Sequence, residues 1–168
     1  MTKREKIAKL ARDEVNNNSL YLWGGQGESV LKTTPEKIKK METSPANAGR
    51  VLKAVANKIT IDADLKKARF FDCSGLVVDI LRQLEIIAKD DDYTADGIYK
   101  KLCKPIKKDE LRAGDLVFID AGSKKTHVGI YEGDDICIEA AGRDEGVTSK
   151  MIYRQKWNSY GRVKIDEK

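Results

Sequence analysis

An α+β fold is the class this sequence predicts, and three observations carry it. Apolar residues recur at helical spacing early in the chain, at Ile7, Leu10, Ala11 and Val15, and again from Leu76 to Ile87. After Pro105 the texture changes to short runs of β type: DLVFIDA (115–121), HVGIYE (127–132), DICIEAA (135–141) and YGRVKI (160–165). No internal repeat or low-complexity stretch interrupts this order, and helices followed by antiparallel strands make an α+β domain rather than an alternating α/β one.

Taken in order, residues 3–16 predict an amphipathic helix that the run NNNS ends, and YLWGGQGE follows with two adjacent glycines. Residues 33–66 are charged and helical in pieces. Thr34-Pro35-Glu36 and Ser44-Pro45-Ala46 each place a capping hydroxyl before a proline at the first helical position. Gly49 and Asn57 are expected to weaken or end the second piece. From Ser74 to about residue 88, Leu76, Val77, Ile80, Leu81, Leu84 and Ile87 form a wide buried stripe, and DDDY at 90–93 stops the helix. Residues 94–102 add a short helix before the strands begin.

Composition narrows the function classes. The chain has 168 residues, 40% of them hydrophobic and 35% charged, which suits one folded domain burying about two thirds of its extended surface. No run approaches the roughly 18 apolar residues of a membrane span. The N-terminus, MTKREKIAKLARDEV, is charged with no apolar core after it, so it is not a Sec-type signal and the chain is expected to be cytoplasmic as synthesised. The net charge of +5 is spread over lysine-rich helical faces. With no Lys/Arg block or aromatic-basic stripe, nucleic acid is not an expected partner. Cys73, Cys103 and Cys137 are too few and too scattered for a disulfide framework. One histidine and no CxxC pair argue against a metal site, and no cofactor is implied.

One cysteine stands apart. Cys73 lies at the N-terminal end of the 74–88 helix behind Asp72, where unpaired N–H groups and about half a positive charge favour thiolate over thiol. Packing as a small apolar residue is the competing reading. The only histidine, His127, opens a strand on which Val128 and Ile130 face the core. His127, Gly129 and Tyr131 share the other side, and Gly129 leaves open space beside the imidazole. In ICIEA, Cys137 and Glu139 share one face, a costly place for a carboxylate without a partner. If Gly133-Asp134-Asp135 loops out, Glu139 falls opposite Gly129, diagonal to His127 and on its face; a two- or four-residue loop would need a bulge to do the same. One imidazole nitrogen could then face Glu139 and the other Cys73, the nucleophile–base–orienter arrangement of acyl transfer.

FDCSGLV (71–77), LRAGDLVFI (111–119), HVGIYEG (127–133) and the upstream YLWGG (21–25) together resemble the motifs of the NlpC/p-sixty family of cell-wall cysteine peptidases. The resemblance implies a papain-like core, with the nucleophile at the N-terminus of a helix packed on an antiparallel sheet of about five strands. It implies hydrolysis of an amide bond in bacterial peptidoglycan stem peptides, often between D-glutamate and the diamino acid. Cys73 would be the nucleophile, His127 the base and Glu139 the third member, a position often held by His in that family. Tyr21, Asp72 and Ser74 would flank the substrate, although Asp72 and Ser74 could equally cap the helix and Tyr21 could be core. The LRAGD aspartate, Asp115, suits a turn or strand edge, and Cys103 and Cys137 suit packing. Trp23 and Trp157 could line either cleft or core.

Residues 26–69 separate the Gly-Gly element from the nucleophile motif, where that family has a short connection. They form a mostly helical insertion beside the cleft: a lid, a specificity element or decoration. A phage lysin, a mobile-element protein released to the wall, or a recycling enzyme would each fit. The alternatives are a papain-like amidase or acyltransferase on another substrate, since a fold does not fix a substrate, and a non-catalytic assembly module.

Overall fold

A computed structural model describes residues 1–165. Helix α1 (Lys3–Asn16) begins at a reciprocal cap: the Thr2 hydroxyl accepts the Glu5 N–H at 3.1 Å, and the Glu5 carboxylate accepts the Thr2 N–H at 2.9 Å. Three short strands follow the chain into a small mixed sheet, β1 (Leu20–Tyr21), β2 (Gln26–Ser29) and β3 (Arg69–Phe71), in the order β1-β3-β2. Between β2 and β3 lie α2 (Pro35–Met41) and α3 (Pro45–Thr60), each started as its sequence requires, with Thr34 and Ser44 as caps and proline next. The expected interruption of α3 does not occur. Gly49 costs such a helix about 0.5–1 kcal/mol, and the buried Ala48 and Val51 flanking it hold the helix intact.

Helix α4 (Cys73–Gln83) is shorter than its apolar periodicity suggests. Glu85 takes a left-handed φ of 56°, and the N–H groups of Ile86 and Glu85 turn back to the carbonyls of Leu81 and Arg82 at 2.9 and 3.0 Å. That pairing ends a helix, so Ile87 reaches the core after the turn and not along the helical stripe. The expected 94–102 helix is one α-turn, Ala95–Gly97, running into a π-helical turn, Ile98–Leu102.

The large sheet has six antiparallel strands, one more than expected: β4 (Cys103–Ile106), β5 (Leu116–Asp120), β6 (Lys125–Gly133), β7 (Ile136–Gly142), β8 (Gly146–Met151) and β9 (Ser159–Val163), ordered β4-β9-β5-β6-β7-β8. The two strands outside the four β-type runs of the sequence are its edges. β8, GVTSKM, is polar, and β4 contains Pro105, which an edge strand tolerates because one row of its N–H groups needs no partner.

Three apolar clusters hold these parts together. The main one joins Leu76, Val77, Ile80 and Leu81 of α4 and Ile7 and Ala11 of α1 to Val128, Ile130, Ile138 and Ala140 of the sheet. With each such buried side chain worth about 1.5–3 kcal/mol, α4 is fixed firmly against β6 and β7. A second cluster belongs to residues 26–69 together with Leu20 and Leu22. The third covers the opposite face of the sheet, with Val117, Tyr131, Cys137, Ile152 and Trp157. Cys103 and Cys137 are both buried, and burial pushes each thiol up to about 12. Asp115 is structural: fully buried, it receives Arg162 through both oxygens at 2.9 and 2.8 Å and the Arg112 N–H at 2.8 Å.

Candidate active site

Cys73 is the first residue of α4 and Asp72 is the N-cap. One carboxylate oxygen of Asp72 accepts the Gly75 N–H at 2.6 Å and the Ser74 hydroxyl at 3.4 Å; the other accepts the Gly24 N–H at 3.1 Å. The Asp72 N–H in turn donates to the Gly25 carbonyl at 3.0 Å. That carbonyl passes so close to the helix that a Cβ on Gly75 would sit 2.0 Å from it, so only glycine fits. The YLWGG and DCSG stretches are therefore one joint with the cysteine at its apex. Burial raises the Asp72 carboxyl above its ordinary range despite the hydrogen bonds from Gly75 and Gly24.

Asp72 and Ser74 do not choose between capping and lining. Both face, with Tyr21, Trp23, Cys73 and Lys124, a cleft of about 460 Å³. Tyr21 is half-buried in its wall. Burial, then the charges of Cys73 and Asp72, push its hydroxyl up to about 12, so it stays a neutral O–H donor at any ordinary pH.

His127 reaches this point from β6. The strands β6 and β7 pair Ile130 with Ile138 and Tyr131 with Cys137, which puts Glu139 on the histidine face as the side-chain parity requires. The connection itself differs from a three-residue loop. Asp134 and Asp135, both at positive φ, make a two-residue turn, and a bulge between Tyr131 and Gly133 restores the parity that such a turn alone would lose.

His127 Nε2 lies 3.0 Å from Glu139 Oε1, and Gln155 Nε2 donates to the same oxygen at 3.0 Å. Glu139 is 1% exposed and its second oxygen has no partner among the described residues. The room beside His127 is not open, as the sequence suggested. Trp157 fills it, stacked on the imidazole with ring centres 5.3 Å apart and planes 8° from parallel. A Cβ on Gly129 would come within 2.8 Å of that indole, so the glycine in HVG makes room for tryptophan.

Burial of the ring would depress the His127 pKa. Hydrogen bonding and charge from Cys73 and Glu139 outweigh it and lift the pKa from 6.5 to about 9. Burial acts upward on Glu139, but the bonds from His127 and Gln155 win and hold its carboxyl below the usual range. An imidazole bonded to a carboxylate at Nε2, with a cysteine near enough to add to the rise, is a proton donor beside a thiol. Among the described residues, no group of three or more His, Cys, Asp or Glu side chains converges as a metal site.

The structure thus brings Cys73, His127 and Glu139 together and sets Tyr21, Asp72 and Ser74 around them. Gln155 and the placement of Trp157 escaped the sequence. The one available signal was Gly129, a residue without a side chain on the face where a large neighbour had to sit.

Comparison with known proteins gives a consistent picture. The family model described as "NlpC/P60 family" matches residues 18–163. The chain is 37% identical over 90 residues to a probable endopeptidase p60 of Listeria seeligeri, and 34% identical over 90 residues to its counterpart in Listeria monocytogenes. Each alignment covers 54% of this chain, which spans only about a sixth of the length of those relatives (16% and 17%). In fold it is similar to NlpC2 of Trichomonas vaginalis, with a TM-score of 0.59 and 18% identity over 96% of this chain and 46% of the other. It is also similar to the P60 domain of an antigen of M. avium subspecies paratuberculosis, with a TM-score of 0.56 and 19% identity over 95% of this chain and 96% of that domain.

Proposed function

The chain belongs to the NlpC/P60 family, and from that membership we propose that it is a cysteine peptidase hydrolysing an amide bond in bacterial peptidoglycan stem peptides. Cys73 is the nucleophile, His127 the acid and base, and Glu139 the group that orients His127. The observation that carries this reading is His127 bonded through Nε2 to the buried Glu139 at 3.0 Å, with Cys73 near enough to help lift the imidazole pKa to about 9. The naming of the Listeria relatives as probable endopeptidases supports it.

The steps follow from the geometry. The Cys73 thiolate attacks the amide carbonyl carbon, forming a C–S bond and placing negative charge on the oxygen. As the first residue of α4, Cys73 carries an N–H with no intrahelical acceptor, a donor available to that oxyanion. The ring nitrogen that Glu139 does not hold, Nδ1, passes its proton to the amide nitrogen as the C–N bond breaks and the amine leaves. A water then adds to the thioester and gives a proton to the same nitrogen. The C–S bond breaks, and the acid product leaves the thiolate–imidazolium pair restored. The bond between D-glutamate and the diamino acid is the first to test.

Muropeptides of several wall chemotypes, digested with the protein and with Cys73→Ala, should show by mass spectrometry a new amine terminus only with the unaltered chain. Iodoacetamide should label Cys73 well ahead of Cys103 and Cys137. Absence of cleavage in every chemotype removes the peptidoglycan reading, and equal labelling of the three cysteines removes the catalytic one.

A further inference from the structure

Cys73, His127 and Glu139 all lie outside residues 26–69, yet this segment contains a buried carboxylate that the reaction steps do not use. Glu42 lies in the turn between α2 and α3 and is 8% exposed. One oxygen accepts Arg143 Nε at 3.0 Å and Nη2 at 2.7 Å; the other accepts the backbone N–H of Trp23 at 3.1 Å. The guanidinium of Arg143 lies over the ring of Tyr21, 5.4 Å from its centre. Tyr21 and Trp23 are the two aromatic residues on the cleft wall beside Cys73.

The stretch LYLW explains how a neighbouring segment can govern that wall. Leu20 and Leu22 point away from the cleft into the cluster that Val30, Ile38, Val51, Leu65 and Phe70 build, while Tyr21 and Trp23 point into the cleft. Trp23 is 51% exposed, so contacts of its own side chain do not hold it in place. Its backbone is held instead, by Glu42 on its own N–H and by Asp72 on the next one.

We infer that residues 26–69, which do not themselves line the cleft, back its aromatic wall, and that Glu42 is the positioning residue that sets that wall. It fixes Trp23 through a backbone bond and Tyr21 through Arg143. This rests on the cleft beside Cys73 being the substrate cleft, as proposed above. Residues 26–69 then govern how tightly the substrate is held and leave the chemical step alone.

Glu42→Gln tests this by keeping the shape and removing the charge. For muropeptide cleavage, KM should rise about tenfold while kcat stays within about twofold, the pattern of a lost uniform binding contribution. The alkylation rate of Cys73 should not change. Trp23→Ala, at a half-exposed site where folding is not at risk, should raise KM likewise, and the two changes together should give less than the product of their separate effects. An unchanged KM in Glu42→Gln, full additivity with Trp23→Ala, or a fall in kcat matched by slower alkylation would each overturn the inference.

A substrate-free measurement separates this failure from failure of the peptidase reading. The chain has two tryptophans, and Trp157 is only 8% exposed, so acrylamide quenching reports mainly on Trp23. Quenching should increase in Glu42→Gln whether or not any muropeptide is cleaved. If it does not, Glu42 does not position the wall.

Discussion

Glu139 and Glu42 are both buried carboxylates with a cationic partner, and they are put to opposite uses. Glu42 is saturated: its two oxygens take a guanidinium and the N–H groups of Trp23 and Thr43. Those donors are a guanidinium and backbone amides, the kinds of group that do not give up protons in the ordinary pH range. Glu139 is left incomplete. One oxygen serves both His127 and Gln155, the other serves nothing among the described residues, and the partner is a side chain that titrates. Removing a charge from water costs several kcal/mol and is recovered only with good partners. At Glu42 both oxygens are partnered. At Glu139 one oxygen is left without a partner among the described residues, and Cys73 and Glu139 together raise the pKa of the neighbouring imidazole. A fixed pair builds a site, whereas a titrating pair can work in one.

The largest effect that would break this contrast lies at Glu139. Glu139→Gln keeps the size and a hydrogen-bonding oxygen but removes the charge, so kcat/KM should fall about 10²- to 10⁴-fold, by analogy with orienting carboxylates in other triads. The alkaline limb of the pH–rate profile, expected near the His127 pKa of about 9, should move down toward 6.5. An unmoved limb in a less active variant would mean that Glu139 acts through packing and not through charge.

A smaller effect separates the two carboxylates by stability. The His127 pKa is higher in the folded state than its ordinary 6.5, so its contribution is fully present below pH 6.5 and is lost as pH rises through about 9. Chemical denaturation of the unaltered chain should show stability declining across that interval, and Glu139→Gln should flatten the decline. Glu42→Ala, which leaves the partly exposed Arg143 without its carboxylate, should cost about 1–3 kcal/mol, an amount that does not vary across the same interval. If the Glu42 loss varied with pH as the Glu139 loss does, the distinction between fixed and titrating pairs would fail.

The smallest effect concerns the second ion pair between residues 26–69 and the β7–β8 turn. Arg50 and Asp144 meet at 2.7 Å, but both side chains are largely in solvent. Exposed pairs of this kind contribute little, so Arg50→Ala should leave the melting temperature and KM unchanged within error. A rise in KM equal to that of Glu42→Gln would shift the positioning role from one buried carboxylate to the whole helical face.

What the sequence made legible was local parity. The alternation in HVGIY and ICIEA was enough to place His127 and Glu139 on one face, and it survived a different turn because the bulge at Glu132 restored the count. The caps at Thr34, Ser44 and Asp72 were equally readable, since a cap is written within four residues. Contacts made across long separations stayed hidden. Glu42 and Arg143 are 101 positions apart and Gln155 and Glu139 are 16 apart, with a change of direction between them, so no period links them. The end of α4 was hidden for another reason. Its turn uses Glu85 in a left-handed conformation that glycine would ordinarily announce.

The bond from Asp72 N–H to the Gly25 carbonyl has an architectural consequence. The chain leaves the main body at residue 25 and returns at residue 72 across two hydrogen bonds, Asp72 N–H to the Gly25 carbonyl and Gly24 N–H to the Asp72 carboxylate, so the gap is closed at its ends. Each doubling of a loop closed in this way costs only about 0.6 kcal/mol. Whatever length of chain is seated between Gly25 and Asp72, the start of α4 is registered by contacts made at the two ends of the excursion, and only glycine at position 75 lets them close.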